Sequence, residues 1–259
     1  CWYTSLIYGD INLTKIVFKK LYSSDSCIHS DVMLNKDEDF HGNQAGGRIF
    51  ALDKNEVLLT IGDYRQRYLA QDVVSTNGKI IKINSQSKQY EIISMGHRNP
   101  QGLFYNKDKD IIISTEHGPQ GGDEVNIIKN NLNQIQNFGR PISSYGEHYG
   151  GKDDINNKDL YKKYPLYKSH KDYGFIEPVI NFTPSIAISE IVHLGENKYA
   201  FSSLKEKSFY TFDLFENNEK NLTKYIIGER IRDMIIKNNQ IFIFLENTAS
   251  IAILDLENL

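Results

Sequence analysis

Gly102-Leu-Phe-Tyr-Asn-Lys-Asp-Lys-Asp-Ile-Ile-Ile-Ser-Thr115 reads as two short apolar strands joined by a polar turn at Asn106–Asp110. The arrangement recurs along the chain. Strands start at Arg48, Gly102, Glu190 and Arg232, and a second strand starts ten residues after each, at Leu58, Ile112, Ala200 and Phe242. The other turns, Asp53-Lys-Asn-Glu56, Gly195-Glu-Asn-Lys198 and Lys237-Asn-Asn-Gln240, are equally polar, so each pair is a hairpin. Third strands follow at Gly78–Ile83, Glu124–Ile128, Phe209–Asp213 and Ile251–Asp255, and fourth strands at Gln89–Ser94 and Thr223–Ile227. A four-stranded unit returning every roughly 40–50 residues marks a β-propeller blade. Four such units are present, with a partial one near Asn12-Leu-Thr-Lys-Ile-Val-Phe18. The sequence therefore predicts an all-β propeller of four-stranded antiparallel blades, one domain over residues 1–259. A β-sandwich accounts for the strands but not for the fixed spacing. The interval between Gly102 and Glu190 is the longest, and its surplus falls at about 130–184, rich in Lys, Asn, Tyr and Gly, read as a long inserted loop.

Bulk composition excludes several classes. The 16 Tyr and 13 Phe favour strands over helices. A net charge of −3 and the lack of a basic stripe argue against nucleic acid; the run Lys162-Lys-Tyr-Pro-Leu-Tyr-Lys168 is read as a solvated loop. No apolar run approaches the roughly 18 residues that a membrane span needs. Cys1 and Cys27 do not form a metal-type pattern; whether they pair depends on the redox compartment. The chain opens in a strand-like stretch, Trp2–Tyr8, without an initiator Met, which reads as a truncated start.

The chemistry gathers in two segments that flank Ile111-Ile-Ile113. They are Gly96-His-Arg-Asn-Pro-Gln-Gly102 and Glu116-His-Gly-Pro-Gln-Gly-Gly-Asp-Glu124. Imidazoles, a guanidinium, carboxylates, glycines and prolines do not build a core, and polar loops around an apolar strand look like a scaffold presenting a site. The outer ends of a hairpin are neighbours, so Gln44–Gly47, Gly62-Asp63, Arg98–Gln101, Glu116-His117, Ser185–Ser189, Leu204-Lys205, Arg230–Arg232 and Glu246-Asn247 converge on one rim of the propeller.

These residues resemble the soluble quinoprotein glucose/sorbosone dehydrogenases, six-bladed propellers that use pyrroloquinoline quinone (PQQ) and calcium. Gly46-Gly-Arg-Ile49 with Thr60-Ile-Gly-Asp63, Asn137-Phe-Gly-Arg-Pro141, Thr183-Pro-Ser-Ile-Ala187, Ser203-Leu-Lys205 and Arg230-Ile-Arg-Asp233 fall in the same order as in that family. The resemblance covers essentially the whole chain and implies that about four and a half of the six blades are present, the N-terminal part being missing. It implies that Arg98 and Asn99 hydrogen-bond the reactive quinone carbonyl, where hydride transfer builds negative charge. Lys205, Arg230 and Arg232 match cations around the cofactor, a planar tricarboxylate. Gly118 and Pro119 match backbone carbonyls that hold calcium, and Glu124 with the carbonyl of Phe138 matches a second calcium position, Asp123 supporting either. It further implies an aldose-type sugar substrate, an external electron acceptor and a periplasmic or secreted location.

The proton acceptor departs from the family pattern. The base expected four residues before Arg48 is a histidine; this chain has Gln44, preceded by Asn43, and neither is a base at neutral pH. His41, three residues upstream on a glycine-rich approach, is the other candidate. Two readings follow: a sugar dehydrogenase, or a catalytically weak or inactive propeller that binds a sugar or protein partner at the same rim.

Overall fold

Leu58 and Leu59 are adjacent in sequence yet bury in different cores, Leu58 with Ile80 and Ile112, Leu59 with Ile61, Ile81 and Ile83. Successive side chains leave a strand on opposite faces, so this division requires a sheet packed on both sides. The computed structural model describes residues 1–12, 14–25, 27–31, 42–129, 134–215 and 218–259. In these it forms five sheets in chain order.

β1 (Ser5–Ile11) and β2 (Ile16–Ser23) form an antiparallel ribbon. β3 (Gly46–Ala51), β4 (Glu56–Ile61), β5 (Lys79–Asn84) and β6 (Tyr90–Met95) form an antiparallel meander. β7 (Pro100–Asn106), β8 (Ile111–Glu116) and β9 (Asp123–Lys129) form the next. β10 (Gln136–Asn137) adds to β6 in parallel, and β11 (Ile180–Phe182) pairs antiparallel with β9. β12 (Ile188–Gly195), β13 (Lys198–Ser203), β14 (Ser208–Phe215) and β15 (Asn218–Ile226) make the fourth sheet. β16 (Ile231–Lys237), β17 (Gln240–Leu245) and β18 (Ser250–Asp255) make the last. The chain is thus a run of propeller blades, as the hairpin spacing predicts. The last sheet has three strands among the described residues. The segment at 130–184 is more than loop: besides β10 and the short helix α1 (Lys158–Lys163), it carries β11, which completes its blade.

The cores lie between successive sheets. Leu6, Leu21 and Tyr22 pack against Leu59, Ile61, Ile81 and Ile83. Leu58 and Ile80 pack against Leu103, Ile112 and Ile128. Ile113, Val125 and Ile180 pack against Ile188, Ile191, Tyr199, Phe201 and Phe212, and Val192, Ala200 and Phe209 against Ile231, Met234, Ile241 and Ile243. Each two-residue step along a central strand thus joins one inter-blade core. Ile113, fully buried, loses one methylene in Ile113→Val; a stability loss of about 1 kcal/mol is expected by urea denaturation.

The first strand of each of the last four sheets lines the central channel: β3 neighbours β7, β7 neighbours β12, and β12 neighbours β16. Each carries a register irregularity near its start, at Gly46/Ile49, Pro100/Gly102, Ile188/Ile191 and Ile231/Asp233. A bulge inserts a residue and re-aims its side chain. Four bulges at equivalent places turn Arg48, Gln101, Glu190 and Arg232 out of the regular alternation at the rim. At the N-terminus, Cys1 and Cys27 form a disulfide, and Trp2 and Ile28 exchange backbone hydrogen bonds beside it.

Candidate active site

The loop that enters β7 and the loop that leaves β8 are tied together before any side chain reaches outward. The His117 amide donates to the Asn99 carbonyl at 3.2 Å, and Arg98 Nη1 donates to the His117 carbonyl at 3.0 Å. Beneath them Glu116 Oε2 lies 3.1 Å from His97 Nδ1 and accepts from the Arg98 amide at 3.3 Å. His97 contacts the Ser94 hydroxyl at 2.8 Å and stacks on Phe138. All of these side chains are buried, so the base of the site is rigid.

Arg98 is itself 5% exposed. Its Nη2 donates to the Gln44 amide oxygen at 3.0 Å, while the Gln44 amide nitrogen donates to Asp63 Oδ1 at 2.7 Å. Tyr149 Oη lies 3.5 Å from the same Nη2, and the Nε of Arg98 is buried without a hydrogen-bond partner. Asp63 Oδ2 accepts from Arg140 Nε at 2.9 Å, and the Asp63 amide donates to the Arg98 carbonyl at 2.9 Å. Burial pulls the Arg140 guanidinium down to about 10, against the opposing charge of Asp63. Asn99 Oδ1 accepts from the Gly46 amide at 3.1 Å and from Gln101 Nε2 at 3.0 Å. The structure thus brings Gln44, Arg98 and Asn99 together. His41 lies outside the described residues.

The turn at Gly118 is tight. A Cβ there would stand 2.1 Å from the Gly122 carbonyl oxygen and 2.2 Å from that of Gly121, so only glycine fits. The Gly118 amide donates to Asp123 Oδ1 at 3.1 Å; Asp123 Oδ2 accepts from Ser185 Oγ at 2.7 Å and from the Ile188 amide at 3.2 Å. Asp123 therefore clamps this turn to the start of β12. Gly118, Pro119, Glu124 and Phe138 line one small pocket together with Arg98, Arg140, Glu116 and His170. Glu124 Oε1 is 3.4 Å from His170 Nε2, and Oε2 accepts from Asn126 at 3.3 Å. Burial raises the Glu124 carboxyl above its usual range. His170 is also raised: burial opposes this, but Glu124 and other nearby carboxylates outweigh it.

Arg230 and Arg232 straddle one acid: Arg230 Nε is 3.5 Å from Glu246 Oε1, and Arg232 Nη2 is 3.0 Å from Glu246 Oε2. Both guanidiniums thus reach the same carboxylate. Lys205 is exposed, its amide bonded to the Ile186 carbonyl at 3.1 Å. Asp63, Arg140 and Tyr149 are additions to the site that sequence reasoning missed. Asp63, in the rim position after β4, and Arg140, in the Asn137–Pro141 turn, carried a sequence signal; Tyr149 carried none.

This set of loops has relatives. The sequence profile of the Glucose / Sorbosone dehydrogenase family matches residues 3–254. The chain belongs to that family. Aldose sugar dehydrogenase YliI of Escherichia coli (strain K12) is 29% identical over 217 residues, covering 74% of this chain and 54% of that protein. An uncharacterized protein, slr1608 of Synechocystis, is 27% identical over 224 residues, covering 74% and 51%. The chain spans about half the length of these curated relatives. Among solved structures, the soluble aldose sugar dehydrogenase of Escherichia coli in its apo form superposes with a TM-score of 0.74 at 23% identity, covering 96% of this chain and 72% of that one. The PQQ-bound aldose sugar dehydrogenase of Streptomyces coelicolor gives 0.59 at 23% identity, covering 80% and 57%. At these identities the superpositions establish the fold within the family.

Proposed function

We propose that this chain forms the cofactor rim of a PQQ- and calcium-dependent dehydrogenase that oxidises an aldose-type sugar and passes the electrons to an external acceptor. The observation that carries the reading is the joining of Arg98 to the His117 carbonyl, which puts a buried guanidinium with an unpartnered Nε against the Gly118-Pro119 turn. The residues fit both groups. Arg98 and Asn99 supply donors for a carbonyl on which negative charge develops, and Arg98 is buried. Arg230, Arg232 and Lys205 suit carboxylates. The carbonyls of Gly118 and Pro119 are hard oxygen donors of the kind calcium takes, and the Glu124 carboxylate with the Phe138 carbonyl offers a second such set. Asp123, with both oxygens engaged by the chain, holds the turn in shape. When bound, PQQ supplies the hydride-accepting quinone and calcium polarises it. The Cys1–Cys27 disulfide is in keeping with a periplasmic or secreted protein.

One observation favours the alternative of a weak or inactive binding propeller. Gln44 takes the place of a base and is held between Asp63 and Arg98, so it bridges the site and accepts no proton. The test is reconstitution of the purified protein with PQQ and calcium, followed by dye reduction with a panel of aldoses. Sugar-dependent reduction is the expected result; PQQ retention without reduction of any dye supports the binding module. His41→Ala is expected to lower kcat at least tenfold if His41 is the base. An unchanged kcat places the base elsewhere.

A further inference from the structure

Under the rim, the central channel holds a three-residue ion cluster assembled from three different blades. Arg48 Nη1 of β3 contacts the Glu190 carboxyl of β12 and lies 3.2 Å from Asp233 of β16. The channel around them is a cavity of about 330 Å³ whose other walls are largely apolar, with Phe50, Leu103, Phe104 and Met234 among them. Two carboxylates face one guanidinium, so a proton or a net negative charge must be carried here. The cluster is wired to the cofactor rim on both sides. Arg48 Nε donates to the Gln101 carbonyl at 2.8 Å, and Gln101 Nε2 holds Asn99 Oδ1. Ser189, next to Glu190, donates from its hydroxyl to the Arg232 carbonyl at 2.8 Å. Arg48, Gln101, Glu190 and Arg232 are the bulged residues of the four inner strands, so their side chains leave the regular alternation.

We infer that Glu190 is a positioning residue whose protonation state sets the rim arms carrying Asn99 and Arg232, and thereby the affinity for the anionic cofactor. The inference rests on the PQQ reading of the rim. Glu190 is 5% exposed. Burial, with the hydrogen bond and charge of Asp233, pushes its carboxyl up to about 8 against the pull of Arg48. Among the described residues the charged groups facing it are Arg48 from β3 and Asp233 from β16. His193 lies farther along the channel on its own strand, and β7 and β13 contribute Leu103, Phe104 and the Ser202 hydroxyl. Near neutral pH Glu190 holds its proton and the cluster is charge-balanced. At higher pH it carries an extra negative charge beside the residue that holds the Arg232 backbone.

The linkage sign follows. The folded chain keeps a proton that the unfolded chain releases above its ordinary value of 4.5. This contribution to stability is complete below that value, falls as pH rises, and is lost above about 8. The test pairs two readouts from pH 6 to 9 on the wild type, Glu190→Gln and Asp233→Asn: apparent Tm, and PQQ affinity by fluorescence titration in calcium. The wild type is expected to lose Tm with rising pH and to weaken in PQQ affinity about 3- to 10-fold, the scale of one added charge in protein. Glu190→Gln is expected to bind PQQ with neither step, and Asp233→Asn to move both to lower pH. Wild-type pH dependence of PQQ affinity in Glu190→Gln overturns the inference. If no variant binds PQQ while the Tm step is present in wild type and absent in Glu190→Gln, the cofactor reading fails and the coupling fails with it. The Tm step identifies that case as an error about the ligand and not about Glu190.

Discussion

Arg98→Ala is expected to lower kcat for PQQ-dependent dye reduction by about 100- to 1,000-fold, the usual cost of removing one preorganised donor from a developing oxyanion. The guanidinium is an unusually committed group. It is buried, fixed at 3.0 Å to the His117 carbonyl and at 3.0 Å to Gln44, and keeps its Nε–H unpartnered. Such a donor needs no reorganisation when charge arrives. The fold should survive, because the four inter-blade cores do not include Arg98. A far-ultraviolet spectrum like that of the wild type, with kcat lost, is the expected pair of results; unchanged kcat would refute the role. Arg98→Lys keeps the charge but loses the planar fork, so it should recover little of the rate.

Asp63→Ala is expected to cost about 3–5 kcal/mol in urea denaturation, the range for removing one partner of a buried ion pair. Asp63 is fully buried, and three separate elements depend on it: the Arg140 guanidinium, the Gln44 amide and the Arg65 backbone amide. Without it, Arg140 is left charged beside Arg98, with no opposing carboxylate at its Nε. The double variant Asp63→Ala/Arg140→Met removes both partners and should regain a large part of the loss, since paired removal spares the desolvation cost of the remaining ion. A double variant no more stable than Asp63→Ala alone would show that Asp63 acts through Gln44 and the loop, not through Arg140.

Much of the fold was legible because a propeller repeats. The ten-residue step from the first strand to the second survives in all four units, and polar turns mark it even where the strand sequences share nothing. The missing fourth strand of the β7–β9 blade shows where this stops. Ile180-Asn-Phe182 is three residues long and arrives after the 130–184 segment, so no local pattern announces it. Lys79 shows a different limit. By alternation it shares a face with Ile81 and Ile83, and it is fully buried. Its ammonium is satisfied there by the backbone carbonyls of Leu69, Ala70 and Asn77, an arrangement that only the tertiary path of the chain can supply.

The site divides in the same way. Arg98, Asn99 and the Gly118-Pro119 turn could be picked out because they share a short segment whose composition is wrong for a core. The groups that orient them could not. Arg48, Glu190 and Asp233 read individually as strand-start polar residues, and Arg140 as part of a turn. What joins them is the convergence of separate blades on one channel, together with bulges that break the alternation used to assign faces. The Gln44 substitution was visible in sequence as an absent base. Its role as a bridge between Asp63 and Arg98 follows only from geometry.

The central claim, that this rim is a PQQ and calcium site, is tested most directly by equilibrium dialysis of the purified protein against PQQ, in calcium and in chelator. The account expects close to one PQQ retained per chain in calcium, most of it released by chelator, and much weaker retention in Arg98→Ala. No retention in calcium, or retention indifferent to both chelator and Arg98, would contradict it.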